Sequence, residues 1–214
     1  MGIDGLLSLG DVDAAARRLG CELRTDVKGP AFRVEILWEG GKALPAPRVQ
    51  MLGYNDEPLP PPELLGYCNG FTQPNGAAHL ETIEVRKFTG FWSRKTERGS
   101  KRYAAARQLN PGLLLAVAAI CCVRERAPFQ CKRAELLCIL DDERQHRSLV
   151  RFYRRLGCSP LREVGSDLRS VADRVLWGGE GTIMDVQVEA FLLKWTDAVR
   201  AMGMDETTSR TAVG

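Results

Sequence analysis

The residues best suited to chemistry lie between Arg86 and Leu113. A strand-like stretch ends in Arg86-Lys87-Phe88, a long basic segment follows, and Asn110-Pro111-Gly112 reads as the start of a helix. The first turn of a helix presents unpaired N–H groups and a partial positive charge, so a cation-rich loop running into one can hold a phosphate or another anion. Gly112 would let the backbone come close to such a group. Between Arg86 and Arg107 stand eight basic residues and one acid, Glu97, on a chain whose overall charge is only +3. A positive segment on a net-negative body points to a local anionic partner, and a solvated basic loop is the plainer alternative. Phe91 and Trp92 in that segment could stack on adenine or on a nucleic-acid base, or simply anchor the loop.

Other polar groups carry two readings each. Glu81 and Glu84 flank a central strand and are candidate bases, although exposed strand carboxylates would look the same. His146 stands near a helix start, where a solvated histidine is equally ordinary. No G-x-G-x-x-G, G-x-x-x-x-G-K-[ST], G-x-S-x-G or H-E-x-x-H occurs, which argues against dinucleotide enzymes, P-loop NTPases, elbow-type serine hydrolases and zincins. With two histidines and no C-x-x-C, no metal site is expected. No known RNA- or DNA-binding motif accompanies the basic segment, so nucleic acid is not the expected partner. Seven cysteines in apolar periodic segments suggest buried, reduced thiols and an intracellular, reducing compartment, cytoplasm or plastid stroma. The longest apolar run, Leu113 to Val123, is too short to cross a bilayer, and Met-Gly-Ile-Asp lacks the features of a secretory leader.

These groups need elements to position them. The 214 residues suit one domain, taken here as residues 1–203 with a flexible tail at 204–214. Asp11–Leu19 has the acids, alanines, arginines and following Gly20 of a short helix. Phe32–Trp38 reads as a strand with Phe32, Val34, Ile36 and Trp38 inward, ending at Glu39-Gly40-Gly41. Six prolines between Pro45 and Pro62 predict an irregular excursion, broken at most by a short strand over 48–52. His79–Phe88 predicts a strand with Ile83 and Val85 on one face and Thr82, Glu84 and Arg86 on the other. Asn110 as N-cap and Pro111 at N1 open a buried helix through Val123. Ala134–Leu140 predicts a strand covered on both faces. Leu149, Phe152, Tyr153 and Leu156 then form the apolar stripe of a helix ending at Gly157. Short strands are expected at 161–164 and 174–177, and a last helix over 186–202 that buries Val188, Phe191, Leu192, Trp195 and Val199. Strand, helix, strand, helix, strand across 79–164 implies at least one parallel strand pair with helices packed on the sheet.

The segment from Ala134 through Phe152-Tyr-Arg-Arg-Leu-Gly-Cys158 resembles the second half of the coenzyme-A site of the GNAT family of N-acetyltransferases, where a buried strand precedes a helix ending in Leu-Tyr-Glu-Lys-Leu-Gly-Phe or a variant. The likeness reaches back to Glu81. The flanks Phe88–Trp92 and Val175–Met184 look similar to an uncharacterised GNAT-like family of plants and algae. The resemblance implies an α+β fold with a mixed, centrally splayed sheet flanked by helices. It also implies acetyl-CoA as co-substrate and acetyl transfer to an unknown amine by direct attack on the thioester. It assigns the pantetheine to the backbone around Val85, Arg86 and Lys87, and the pyrophosphate to residues 107–113, among them Arg107, Gln108, Asn110, Gly112 and Leu113. His146, Phe152 and Arg155 would complete the cofactor contacts, His146 replacing an asparagine. Tyr153 would protonate the leaving thiolate, with Glu84 or a water as base. The phosphate loop departs from the family's Q/R-x-x-G-x-G/A, having Pro111 and Leu113 in place of the two glycines, and Cys158 replaces the final Phe. Part of the phosphate contact would then fall to loop cations, and a GNAT-like scaffold without catalysis is the alternative.

Overall fold

The computed structural model describes residues 5–38, 63–86 and 110–202. The Pro45–Pro62 stretch with its expected strand, the basic segment from Lys87 through Gln108 and the 204–214 tail lie outside them.

Helix α1 (Leu9–Arg18) opens with a capping box. Ser8 Oγ accepts from the Asp11 N–H at 3.1 Å and the Ser8 N–H donates to Asp11 Oδ2 at 2.9 Å, so two otherwise unpaired amides are satisfied together. Strands β1 (Cys21–Lys28), β2 (Ala31–Trp38), β3 (Glu63–Thr72) and β4 (Ala77–Val85) form an antiparallel meander. The sequence reading contains neither β1 nor β3. In β1 charged residues stand at every second position, so the apolar alternation is thin. In β3 the glycines and Asn69 are poor strand formers, and close packing makes the glycines necessary. A Cβ on Gly66 would lie 2.6 Å from the Glu84 carbonyl oxygen, and one on Gly70 would collide with that of His79.

From β4 the chain crosses to α2 (Pro111–Arg126) and returns as β5 (Arg133–Ile139), parallel to β4. Helix α3 (Glu143–Leu156) starts at Asp142, whose carboxylate accepts from the Gln145 N–H at 2.8 Å, and stops at left-handed Gly157. Then come β6 (Ser159–Val164), α4 (Val171–Trp177), β7 (Gly181–Gln187) and α5 (Val188–Ala201). The sheet order is β1-β2-β3-β4-β5-β7-β6, a mixed α+β arrangement of the expected class. Residues 174–177 are not a strand. They close α4, which ends at Gly178 with φ +78°, because so short an apolar alternation also fits a helix that turns Trp177 inward and leaves Val175 in solvent. The glycine run at 178–181 leads directly into β7, so Val186 belongs to a strand and the last helix begins at Val188.

The main core lies between the sheet and α1, α2, α3 and α5. Leu113 through Val123 of α2 are all buried, and each fully enclosed Leu, Ile or Val there contributes about 1.5–3 kcal/mol. The opposite face of the sheet carries a smaller cluster of Val164, Trp177, Ile183 and Leu137. Strand β5 accordingly alternates buried and half-buried positions.

The feature that shapes a site is the β4–β5 ladder. Pairing runs from Ala77↔Arg133 to Leu80↔Leu136 and stops there, although β4 continues to Val85 and β5 to Ile139. At that point β4 carries a bulge, since Asn69 pairs with Thr82 and Gly70 with Leu80, leaving Glu81 as the extra residue. A bulge bends its strand and sharpens the twist. It also shifts the alternation, so that Ala78 and Leu80, then Ile83 and Val85, share the helix-covered face.

Candidate functional site

The unpaired ends of β4 and β5 leave a cleft, at whose mouth the start of α2 meets Phe152 in the C-terminal half of α3. Asn110 caps α2, its Oδ1 accepting from the Leu113 N–H at 3.0 Å, with Pro111 at N1. Proline has no amide hydrogen and Leu113's is already taken, so among the described residues Gly112 keeps the free first-turn donor of the helix body. A Cβ on Gly112 would sit 3.4 Å from Phe152 Cζ and 3.8 Å from Val85 Cγ2. Val85, Gly112 and Phe152, three of the residues assigned to the cofactor, therefore meet at this mouth. Phe152 is not part of the buried stripe. It is 37% exposed, beside the glycine, with its ring edge-on to Tyr153 at 5.2 Å. The Arg86 N–H donates to the Leu65 carbonyl at 2.8 Å, which pins the end of β4. Lys87, Arg107 and Gln108 lie outside the described residues.

Tyr153 lies on the helix-covered face of the sheet, buried in the main core. Burial pushes its pKa well above the usual phenol value, with smaller contributions from Cys138, Cys68 and Cys158. The hydroxyl is thus a proton donor at neutral pH, and it has no hydrogen-bond partner among the described residues.

Glu84 stands on the other face of the sheet, where β4 is open to solvent. Its Oε2 accepts from the Tyr67 hydroxyl at 3.0 Å, and Arg86 Nε is 3.5 Å from Oε1. The bond to Glu84 is the largest cause of a raised Tyr67 pKa. Arg33 lies over the Tyr67 ring, 4.5 Å from its centre, and donates to Glu35 and Asn69. Tyr153 and Glu84 are consequently on opposite sides of the split sheet.

His146 and Arg155 are held elsewhere. His146 Nδ1 is 3.3 Å from the Ile139 carbonyl and Nε2 is 3.1 Å from Thr182 Oγ1. Both Glu163 carboxylate oxygens lie 2.9 Å from the same hydroxyl. A carbonyl oxygen only accepts, so Nδ1 carries the proton of the first bond. Thr182 has one hydroxyl proton to share between Nε2 and Glu163. The Arg155 side chain is exposed, and its carbonyl accepts from Lys194 Nζ at 2.7 Å. Thr182, Glu163 and Tyr67 escape the sequence reading because their partners lie 17 to 36 residues away.

Among the described residues no group of three or more His, Cys, Asp or Glu could hold a metal ion, and no helix is long and apolar enough to cross a membrane. Compared with protein-family models and with curated proteins, the chain matches none.

Proposed function

We propose that the chain is an acetyl-CoA-dependent N-acyltransferase. The observation that carries this reading is the early end of the β4–β5 ladder at Leu80↔Leu136, at a bulge, with both strands running on and Val85 of β4 reaching Gly112 at the start of α2. Unpaired edges of two diverging parallel strands offer amide and carbonyl groups to an extended, amide-containing arm such as pantetheine. Acetyl-CoA supplies the thioester whose carbonyl carbon an amine can attack. The strand N–H groups polarise that carbonyl. Tyr153, on the helix side, gives its hydroxyl proton to the departing sulfur as the carbon–sulfur bond breaks and the carbon–nitrogen bond forms. Glu84, on the open side, takes the proton released by the amine, either directly or through water, and solvent returns a proton to Tyr153. No nucleophilic Cys or Ser is required.

The cap of α2 favours a second reading, a GNAT-like scaffold without catalysis, because Pro111 and the Asn110–Leu113 bond leave few donors for a pyrophosphate. Calorimetry with acetyl-CoA tests both. Saturable binding is expected, and no heat at about millimolar ligand refutes the proposal. If binding is found, Tyr153→Phe keeps the ring packing and should lower turnover about 10²–10⁴-fold with little change in affinity. Thiol release from a panel of polyamines, amino acids and peptide N-termini provides the assay, and unchanged turnover removes Tyr153 from the mechanism.

A further inference from the structure

On the flank of α3 away from Gly112, a groove of about 310 Å³ runs between that helix and β6–β7, lined by His146, Arg147, Val150, Arg151, Arg154, Pro160, Glu163 and Thr182. It is separate from the cleft, because Phe152, which meets Gly112, lies on the opposite flank of the helix. Arg147, Arg151 and Arg154 follow the i, i+4, i+7 spacing of one helix side and form one wall.

This arginine row is only partly balanced by carboxylates. Arginines on the strands are held tightly by carboxylates, as in Arg24–Glu22 at 2.8 Å, Arg33–Glu35 at 2.6 Å and Arg162–Asp173 at 2.8 Å. In the groove, Arg147 has only the exposed Glu143 at 3.7 Å, Arg151 has Ser148 Oγ at 3.4 Å, and the Arg154 guanidinium has no partner among the described residues. Glu163, the one carboxylate in the lining, accepts from Thr182 and forms no ion pair with them among the described residues, so three guanidinium groups share the groove with one carboxylate.

We propose that this groove binds an acidic peptide segment in extended conformation. Arg147 and Arg151 are about 6 Å apart along the helix axis, and alternate side chains of an extended strand are about 7 Å apart, so carboxylates on every second residue would face successive guanidinium groups. Val150 and Pro160 give such a segment an apolar floor. No Phe, Tyr or Trp lines the groove, and the His146 ring is held at both nitrogens by Ile139 and Thr182, so the groove offers bases little to stack on.

Fluorescence anisotropy with a labelled peptide of alternating Glu and Ser tests the assignment, with an alternating Lys-Ser peptide and an oligouridylate as comparators. The double variant Arg147→Glu/Arg151→Glu should weaken Glu-Ser binding by at least about tenfold. The control Arg144→Glu/Arg169→Glu, which makes the same charge change at exposed positions outside the groove, should leave it nearly unchanged. Circular dichroism melting verifies that both variants are folded; if the first is not, Arg154→Gln replaces it, with a smaller loss expected. Equal loss in both variants, no saturable Glu-Ser binding at about 50 mM salt, or tighter binding of the oligouridylate would overturn the proposal.

Discussion

His79 should make the protein acid-sensitive by an amount that follows from its surroundings. The ring is 3% exposed and stacked between Phe71, at 4.6 Å, and Trp177, at 3.7 Å. Its Nδ1 and the Trp177 indole nitrogen have no hydrogen-bond partner among the described residues. Burial lowers the pKa from 6.5 to about 4, because an imidazolium there would lose its hydration without gaining a counter-ion. Above pH 6.5 the folded and unfolded chains both hold a neutral ring, and no penalty arises. As the pH falls through 6.5 the unfolded chain binds a proton that the folded chain refuses. Each pH unit down to about 4 then costs up to about 1.4 kcal/mol, accumulating to about 2.5 kcal/mol by pH 4.5. Urea unfolding of the wild type and of His79→Phe between pH 7.5 and 4.5 isolates this effect from the carboxylates, which titrate in both proteins. The phenyl ring keeps the stack and removes the titration, so the variant should gain about 2–3 kcal/mol on the wild type across that range. Parallel stability profiles, within about 0.5 kcal/mol, would refute the reasoning.

Two further expectations concern the backbone and the thiols. Gly181 combines φ +152° with a Cβ position that collides with the Cys138 carbonyl, so Gly181→Ala should cost more than about 3 kcal/mol. Gly178→Ala, at φ +78° with open space around it, should cost only about 1 kcal/mol, and equal losses in urea unfolding would contradict the steric account. Burial raises the thiol pKa to about 12 for Cys68, Cys121, Cys138 and Cys158 and to about 11 for Cys122. Labelling at pH 8 should therefore be slow in the native protein and reach seven groups after unfolding without reductant, and a smaller final count would reveal disulfides.

The sequence by itself determined the elements whose signals are local. Asn110-Pro111, the Leu149–Leu156 periodicity with Gly157, and the Phe32–Trp38 alternation each place an element, because caps, turns and amphipathic faces are decided within a few residues. The parallel β4–β5 pair also follows from the order of elements alone. Tertiary contacts decided the rest. Strand β3, with two glycines and an asparagine, is a strand because its neighbours β2 and β4 approach too closely for larger residues, and nothing within the segment says so. The Glu81 bulge, and with it the length of the cleft, depends on register across two strands. Likewise, Phe152 and Tyr153 are adjacent in one apolar stripe, yet one faces the cleft mouth and the other the core, according to what α2 and the sheet leave open. His146 reads as a solitary polar residue until β7 and β6 bring Thr182 and Glu163 to it. Local spacing sets which face of an element a side chain occupies, and only the packed sheet sets what that face meets.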